Sequence, residues 1–296
     1  MGLDASSIPL DELDALWDFD DPAASEARFR AMLPRARDER DGAFEAETLT
    51  QLARAQGLQR RFDEAATTLD DAGRALRPGD ARGRIRLLLE RGRLANTSAE
   101  PGRGRDSFLE AWELAGSVGE DALAVDAAHM LGLVEPPDVA WSWNDRAMTL
   151  ARSSADPRAR GWVGSLASNM GWARHDAGDD DGASELFELA RDEWLADGRP
   201  DRARIARWSI ARCRRSRGDV ETALGEQKVL RAELEALGEA DGYVFEELGE
   251  CLLALGRDDE ARPCFGRAAE LLGDDPGLAD DPKRLERLRS LAQTEP

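Results

Sequence analysis

Three cysteines, two histidines, one tyrosine and two lysines in 296 residues leave little material for several kinds of chemistry. Cys213, Cys251 and Cys264 are odd in number and lie in helix-like sequence. They read as small buried apolar residues of a reducing compartment, not as a disulfide frame. His129 and His175 are far apart, and no Cys-x-x-Cys or His-x3-His pair occurs, so neither a zinc site nor any other cofactor is expected. No Gly-x-Ser-x-Gly marks a nucleophile. Gly102-Arg103-Gly104 reads as a turn between helices, without the strand that a phosphate-cradling loop follows. No run of eighteen apolar residues is long enough to span a membrane. The first thirty residues lack the basic start and apolar stretch of a signal peptide, so a cytoplasmic location is expected.

Positive charge is also scarce. Forty basic against sixty acidic residues give 40 − 60 = −20, which repels phosphate at long range and excludes a general nucleic-acid partner. An anionic membrane surface is disfavoured for the same reason. Lys228 and Lys283 are the only lysines, and every other basic residue is arginine apart from the two histidines. The chain is 42% hydrophobic and 34% charged, as a folded protein should be. Alanine, leucine, glutamate and arginine dominate, all strong helix formers. Few stretches alternate β-branched residues with period two, so the fold class is all-α with no sheet.

One pattern recurs six times. The clearest copy is Asn169-Met170-Gly171-Trp172, then Gly178, Ala183, Phe187 and Ala190. The last reads Leu248-Gly249, Gly256, Ala261, Phe265 and Ala268, and an early one Leu52-Ala53, Phe62, Ala65, Leu69 and Ala72. Gly171 to Ala183, Gly249 to Ala261 and Ala53 to Ala65 are each twelve residues, enough for one helix to finish, turn and enter a second. Small residues are required where the two helices approach most closely. Phe187 and Phe265, four residues further on, fill the groove between them. Gly178 and Gly256 stand where the first helix must stop in a left-handed conformation. Weaker copies contain Gly92, Gly104, Phe108 and Ala111; Ala128, Ala140 and Ala147 after the turn Pro136-Pro137; and Ala211, Gly218, Ala223 and Leu230. The register residues 65, 104, 140, 183, 223 and 261 are separated by 39, 36, 43, 40 and 38.

These motifs resemble the tetratricopeptide repeat family over residues 45 to 272. The resemblance implies an all-α, right-handed α-solenoid of about six helical hairpins with capping helices. The pitch exceeds the ~34 residues of that family and is similar to the arrays of bacterial signalling proteins, including peptide-sensing regulators. Residues 1–44 are expected to form a degenerate capping hairpin. Leu10, Leu13, Leu16 and Trp17 give a short apolar stripe, and Asp21-Pro22 starts a helix. Residues 273–296 are expected to be an acidic linker and a closing helix carrying Leu285, Leu288 and Leu291.

In this family the first helix of each hairpin lines the inner, concave surface. Inward positions lie at −6, −3, +1 and +4 from its small residue, and they include Arg86, Arg93, His129, Trp172, His175, Trp208, Arg212, Arg215, Tyr243, Glu246 and Glu250. Both histidines, the only tyrosine and two of eight tryptophans fall here, with arginines prominent on an acidic protein. Arginine holds a carboxylate with two parallel bonds. The function expected is therefore a non-catalytic scaffold for a protein or peptide segment, acidic or carboxylate-ended, with the chain a monomer or dimer. An enzyme or small-molecule site around His129, Trp172 and His175, and a structural self-associating role, are the alternatives. Trp112, Trp141, Trp143, Trp162 and Trp194 read as packing, and Asp179-Asp180-Asp181 as a helix cap.

Overall fold

The computed structural model describes residues 10–38, 42–97, 101–273, 275 and 281–293, and all regular structure among them is helical. It divides into two units, residues 1–162 and 163–296. In the first, α1 (Leu10–Asp14) and α2 (Pro22–Asp38) precede three hairpins. These are α3 (Gly42–Leu58) with α4 (Phe62–Ala75), α5 (Ala81–Thr97) with α6 (Pro101–Val118), and α7 (Asp121–Val134) with α8 (Pro137–Ser153). A short α9 (Pro157–Arg160) packs on the third. The second unit holds three more. They are α10 (Val163–Asp176) with α11 (Asp180–Ala196), α12 (Pro200–Ser216) with α13 (Val220–Ala236), and α14 (Gly242–Ala254) with α15 (Asp258–Leu271). The helix α16 (Pro282–Gln293) closes it. Within each unit every hairpin packs on the next, which is the construction of an α-solenoid.

The turns follow from glycine chemistry. Gly178, Gly218 and Gly256 have φ of +81°, +87° and +68°, and each ends the first helix of its hairpin. The next amide reaches back to close the helix: Asp179 N–H donates to the Arg174 carbonyl at 2.9 Å, and Arg257 N–H to that of Leu252 at 2.9 Å. Gly198 and Gly238 do the same between hairpins, at +69° and +74°. In the first unit Arg60 takes this place with φ +62°, the one non-glycine residue in that conformation among the described residues. Two helix starts of the second unit use side-chain oxygens: Asp179 accepts from Gly182 N–H, and Asp241 from Tyr243 N–H.

The close approach within a hairpin depends on missing Cβ atoms. A Cβ built on Gly171 would lie 2.7 Å from the Phe187 ring, and one on Gly249 2.7 Å from the Phe265 ring. Gly92 stands in the same relation to Phe108. All three rings are fully buried, each worth about 1.5–3 kcal/mol of transfer free energy. Where the first helix carries Ala53, Ala128 or Ala211 instead, the ring position holds Leu69, Asn144 or Gln227, all smaller than phenylalanine. One segment differs from its sequence reading: residues 102–104 belong to the first turn of α6 and not to a connecting turn. Gly104 is needed because a Cβ there would come within 2.9 Å of the Gly92 carbonyl oxygen. At the far end, Leu288 of α16 is fully buried against the α14–α15 core.

Adding a methyl group at Gly171 is expected to destabilise the protein by about 1–3 kcal/mol, although alanine is the better helix former by ~1 kcal/mol. Phe187→Leu in the Gly171→Ala background should recover part of that loss, because it recreates the Ala53–Leu69 combination. Chemical denaturation of the two single variants and the double variant measures the coupling, and simple additivity would remove this account of the hairpin.

Candidate binding cavity

Three consecutive first helices of the second unit each place one aromatic residue on a common line. Trp172 on α10, Trp208 on α12 and Tyr243 on α14 are about one repeat apart in sequence. Their ring centroids are 5.8 Å apart for Trp172–Trp208 and 6.2 Å for Trp208–Tyr243. Trp172 is backed by the buried Phe187 ring at 5.2 Å, and Trp208 Nε1–H donates to the Tyr243 carbonyl at 3.1 Å. The series is thereby fixed to the hairpin core and to the next helix. Arg212, one turn beyond Trp208, lays its guanidinium 5.7 Å from the Trp172 ring and 5.6 Å from that of Trp208.

The three aromatic residues line a cavity of about 860 Å³, together with Ile205, Leu230, Leu234, Val244, Leu271 and Leu272. Its polar margin is lopsided: Asp201, Glu239, Asp241 and Asp275 against Arg204, which already sits 3.8 Å from Glu239. Tyr243 is held with its phenol above the usual range, first by burial and then by the Asp275 carboxylate, so it stays a neutral donor. Another cavity, of about 1010 Å³, lies in the first unit along α4, α5 and α6, and none of the expected site residues lines it.

No protein-family model and no curated protein sequence matches this chain. Among solved structures, it is similar to a tetratricopeptide repeat protein from Parabacteroides merdae, with 17% identity over 96% of this chain and 98% of that one and a TM-score of 0.53. It is also similar to NprR, solved in complex with its cognate peptide NprX, with 14% identity over 97% of this chain and 84% of that one and a TM-score of 0.54. The fold is that of a tetratricopeptide repeat array. At these identities the likeness concerns the fold alone.

On that tetratricopeptide-type frame the remaining inward positions are mostly engaged by neighbouring repeats. In the first unit Arg86 is buried and meets Glu47 at 3.2 Å and Asp14 at 3.6 Å. Arg93 pairs with Glu90 and Asp126. Thr50, Leu89 and Val125, at the −3 positions, are buried in the packing and line no open face. In the second unit Arg215 grips the buried Glu247, Glu246 takes two bonds from Arg284 at 2.9 and 2.7 Å, and Glu250 pairs with Arg287. Arg212 has no ion pair among the described residues, and its Nε is buried without an acceptor. His175 points away from the cavity lining, toward Asp180 and Cys213. The lining residues that sequence periodicity missed include Asp201, Arg204 and Val244 on first helices, Leu230, Leu234 and Leu271 on second helices, and Glu239 and Asp275 in connections.

The buried thiols are not activated. Burial pushes the Cys213 thiol up to about 11 and the Cys251 thiol up to about 12, the reverse of what a reactive thiolate needs. His129 lies 5.5 Å from the Trp162 ring with its Nδ1 buried and unbonded. Burial holds its pKa below the ordinary value, against the pull of Asp126 and with the push of Arg93 and Arg54. The unfolded chain therefore binds this proton at higher pH than the folded one, so the associated stability is complete above about 6.5 and is lost as pH falls below it. Asp126, kept low by Arg93 and Arg54 despite its burial, contributes only in a more acidic window. The thermal midpoint is expected to drop between pH 7 and 5.5, and less so in His129→Gln. An equal drop in the variant would show that His129 carries no linkage.

Proposed function

We propose that the protein is a non-catalytic scaffold that holds an apolar peptide or protein segment in the cavity of its second unit. The carrying observation is the cavity itself: an aromatic and aliphatic floor of Trp172, Trp208, Tyr243, Ile205 and Leu230 within about 860 Å³, a size that accommodates a few side chains. That NprR was solved with a bound peptide on a similar fold is in keeping with this use.

The polarity of the margin favours a segment with basic residues beside its apolar ones. Four carboxylates face one arginine there, in a chain of net charge −20. The arginines that pointed to an acidic or carboxylate-ended partner are otherwise occupied, Arg86, Arg93 and Arg215 each by a carboxylate of this chain. Arg212 is the exception, and it is the group that would take one carboxylate of the partner, its charge backed by two indole faces. A monomer or dimer without cofactor satisfies this reading.

Apolar peptides with lysine or arginine flanks should quench the fluorescence of the cavity tryptophans in a saturable, salt-weakened titration, whereas acidic-flanked versions should bind at least tenfold less tightly. Trp172→Ala should weaken binding tenfold or more, and Arg212→Ala should act most on peptides with a free carboxylate terminus. Wild-type binding by both variants would place the partner elsewhere.

A further inference from the structure

One cluster lies outside the cavity and takes no part in the proposed binding. His175 is in the last turn of α10, Asp180 is the first residue of α11, and Cys213 lies on α12. An imidazole nitrogen, a carboxylate oxygen and the sulfur all lie within 4.8 Å of one another. Nδ1 is 2.5 Å from Asp180 Oδ1 and 3.8 Å from Cys213 Sγ. A proton relay from thiol through imidazole to carboxylate needs the two partners on opposite ring nitrogens. Here both face the same nitrogen, so the arrangement cannot pass a proton through the ring. What the three groups share is proximity: a nitrogen, an oxygen and a sulfur that can each serve as a metal ligand, drawn from three helices.

We propose that His175 Nδ1, the Asp180 carboxylate and Cys213 Sγ form a binding site for a divalent transition-metal ion of the zinc type, with water as the fourth ligand. The donor set is the mixture that zinc accepts, and three protein ligands plus solvent is a recognised arrangement for it. Bond lengths of ~2.0–2.3 Å place tetrahedral donors ~3.4–3.5 Å apart. The sulfur–nitrogen separation already lies near that value. The nitrogen–oxygen pair must open by somewhat under ~1 Å as the imidazole binds the ion in the tautomer that carries its proton on Nε2, so that only the thiol proton is released to solvent.

The surroundings suit an ion. Thiolate and carboxylate together supply two negative charges, so a divalent cation leaves a neutral assembly in a mostly buried place. Binding releases the thiol proton to solvent and forms the sulfur–metal bond, which removes the penalty that burial places on a free thiolate. The imidazole is steadied by the Trp172 ring at 5.4 Å, and Ser184 Oγ donates to the Asp180 carbonyl at 2.8 Å. His175 and Asp180 keep 14% and 16% of their side-chain surface in solvent, which gives an ion a way in. The nearby Arg217 is paired with Asp181, and Arg212 lies over the indole rings, so neither cation occupies the point itself.

The test uses the full chain, stripped with chelator and titrated with Co²⁺ alone. One cobalt per chain should bind with a thiolate-to-metal charge-transfer band and tetrahedral visible bands, and Zn²⁺ should displace it. Cys213→Ser should abolish the charge-transfer band. Asp180→Asn, at a partly exposed position that leaves the core untouched, should keep the band at saturation and weaken binding tenfold or more. Cys264→Ser should change neither. Absence of a thiolate band in the wild type, its survival in Cys213→Ser, or wild-type affinity in Asp180→Asn would each overturn the assignment; should Cys213→Ser lose helicity, Asp180→Asn decides.

Discussion

A phenyl ring lying across a residue with no side chain sets the geometry of this protein. In three of the six hairpins the ring of Phe108, Phe187 or Phe265 occupies the space where a Cβ on Gly92, Gly171 or Gly249 would be. The two helices can then approach until the ring touches backbone, which fixes their separation and excludes water from the seam. The other hairpins solve the same steric problem with alanine and a smaller partner. The first residue of the aromatic line over the cavity takes its position from that contact. Trp172 directly follows Gly171 and packs on the same Phe187 ring.

A second set of forces works between repeats. Arginines on one first helix reach carboxylates on a neighbouring one, Arg86 to Glu47, Arg93 to Asp126 and Arg215 to Glu247, and Arg284 of the closing helix reaches Glu246. Each pair spans about one repeat, so it discriminates the correct register of neighbouring helices. Partly buried pairs of this kind add little net stability because desolvation offsets the attraction, but breaking one strands a buried charge at a cost of about 3–5 kcal/mol. This explains why an acidic protein concentrates arginine on its inward positions. Arg212, held by two indole faces, is the exception that makes no ion pair among the described residues.

Chemistry and binding separate along the same lines. The buried thiols are held protonated by their apolar surroundings, so they offer no nucleophile at neutral pH. The cavity instead offers area, aromatic faces and a negative margin, which are the ingredients of recognition. The similarity to solved repeat proteins establishes the frame on which these features are mounted and leaves the choice of partner to the side chains themselves.

The primary structure by itself determined the all-α class, the six hairpins, the glycines that end helices and the small residues at closest approach. All of these are local: a helical period, a left-handed turn and a twelve-residue spacing act within one hairpin. Periodicity also placed Trp172, Trp208 and Tyr243 on equivalent positions of successive helices. Only the tertiary structure decided which inward residues face open space. Carboxylates from neighbouring repeats closed over Arg86, Arg93 and Arg215, and the lining at Leu234 and Leu271 came from the ends of other helices and at Asp275 from the connection after α15. The meeting of His175, Asp180 and Cys213 is of the same kind, because its donors arrive from three helices and no spacing rule within one segment brings them together.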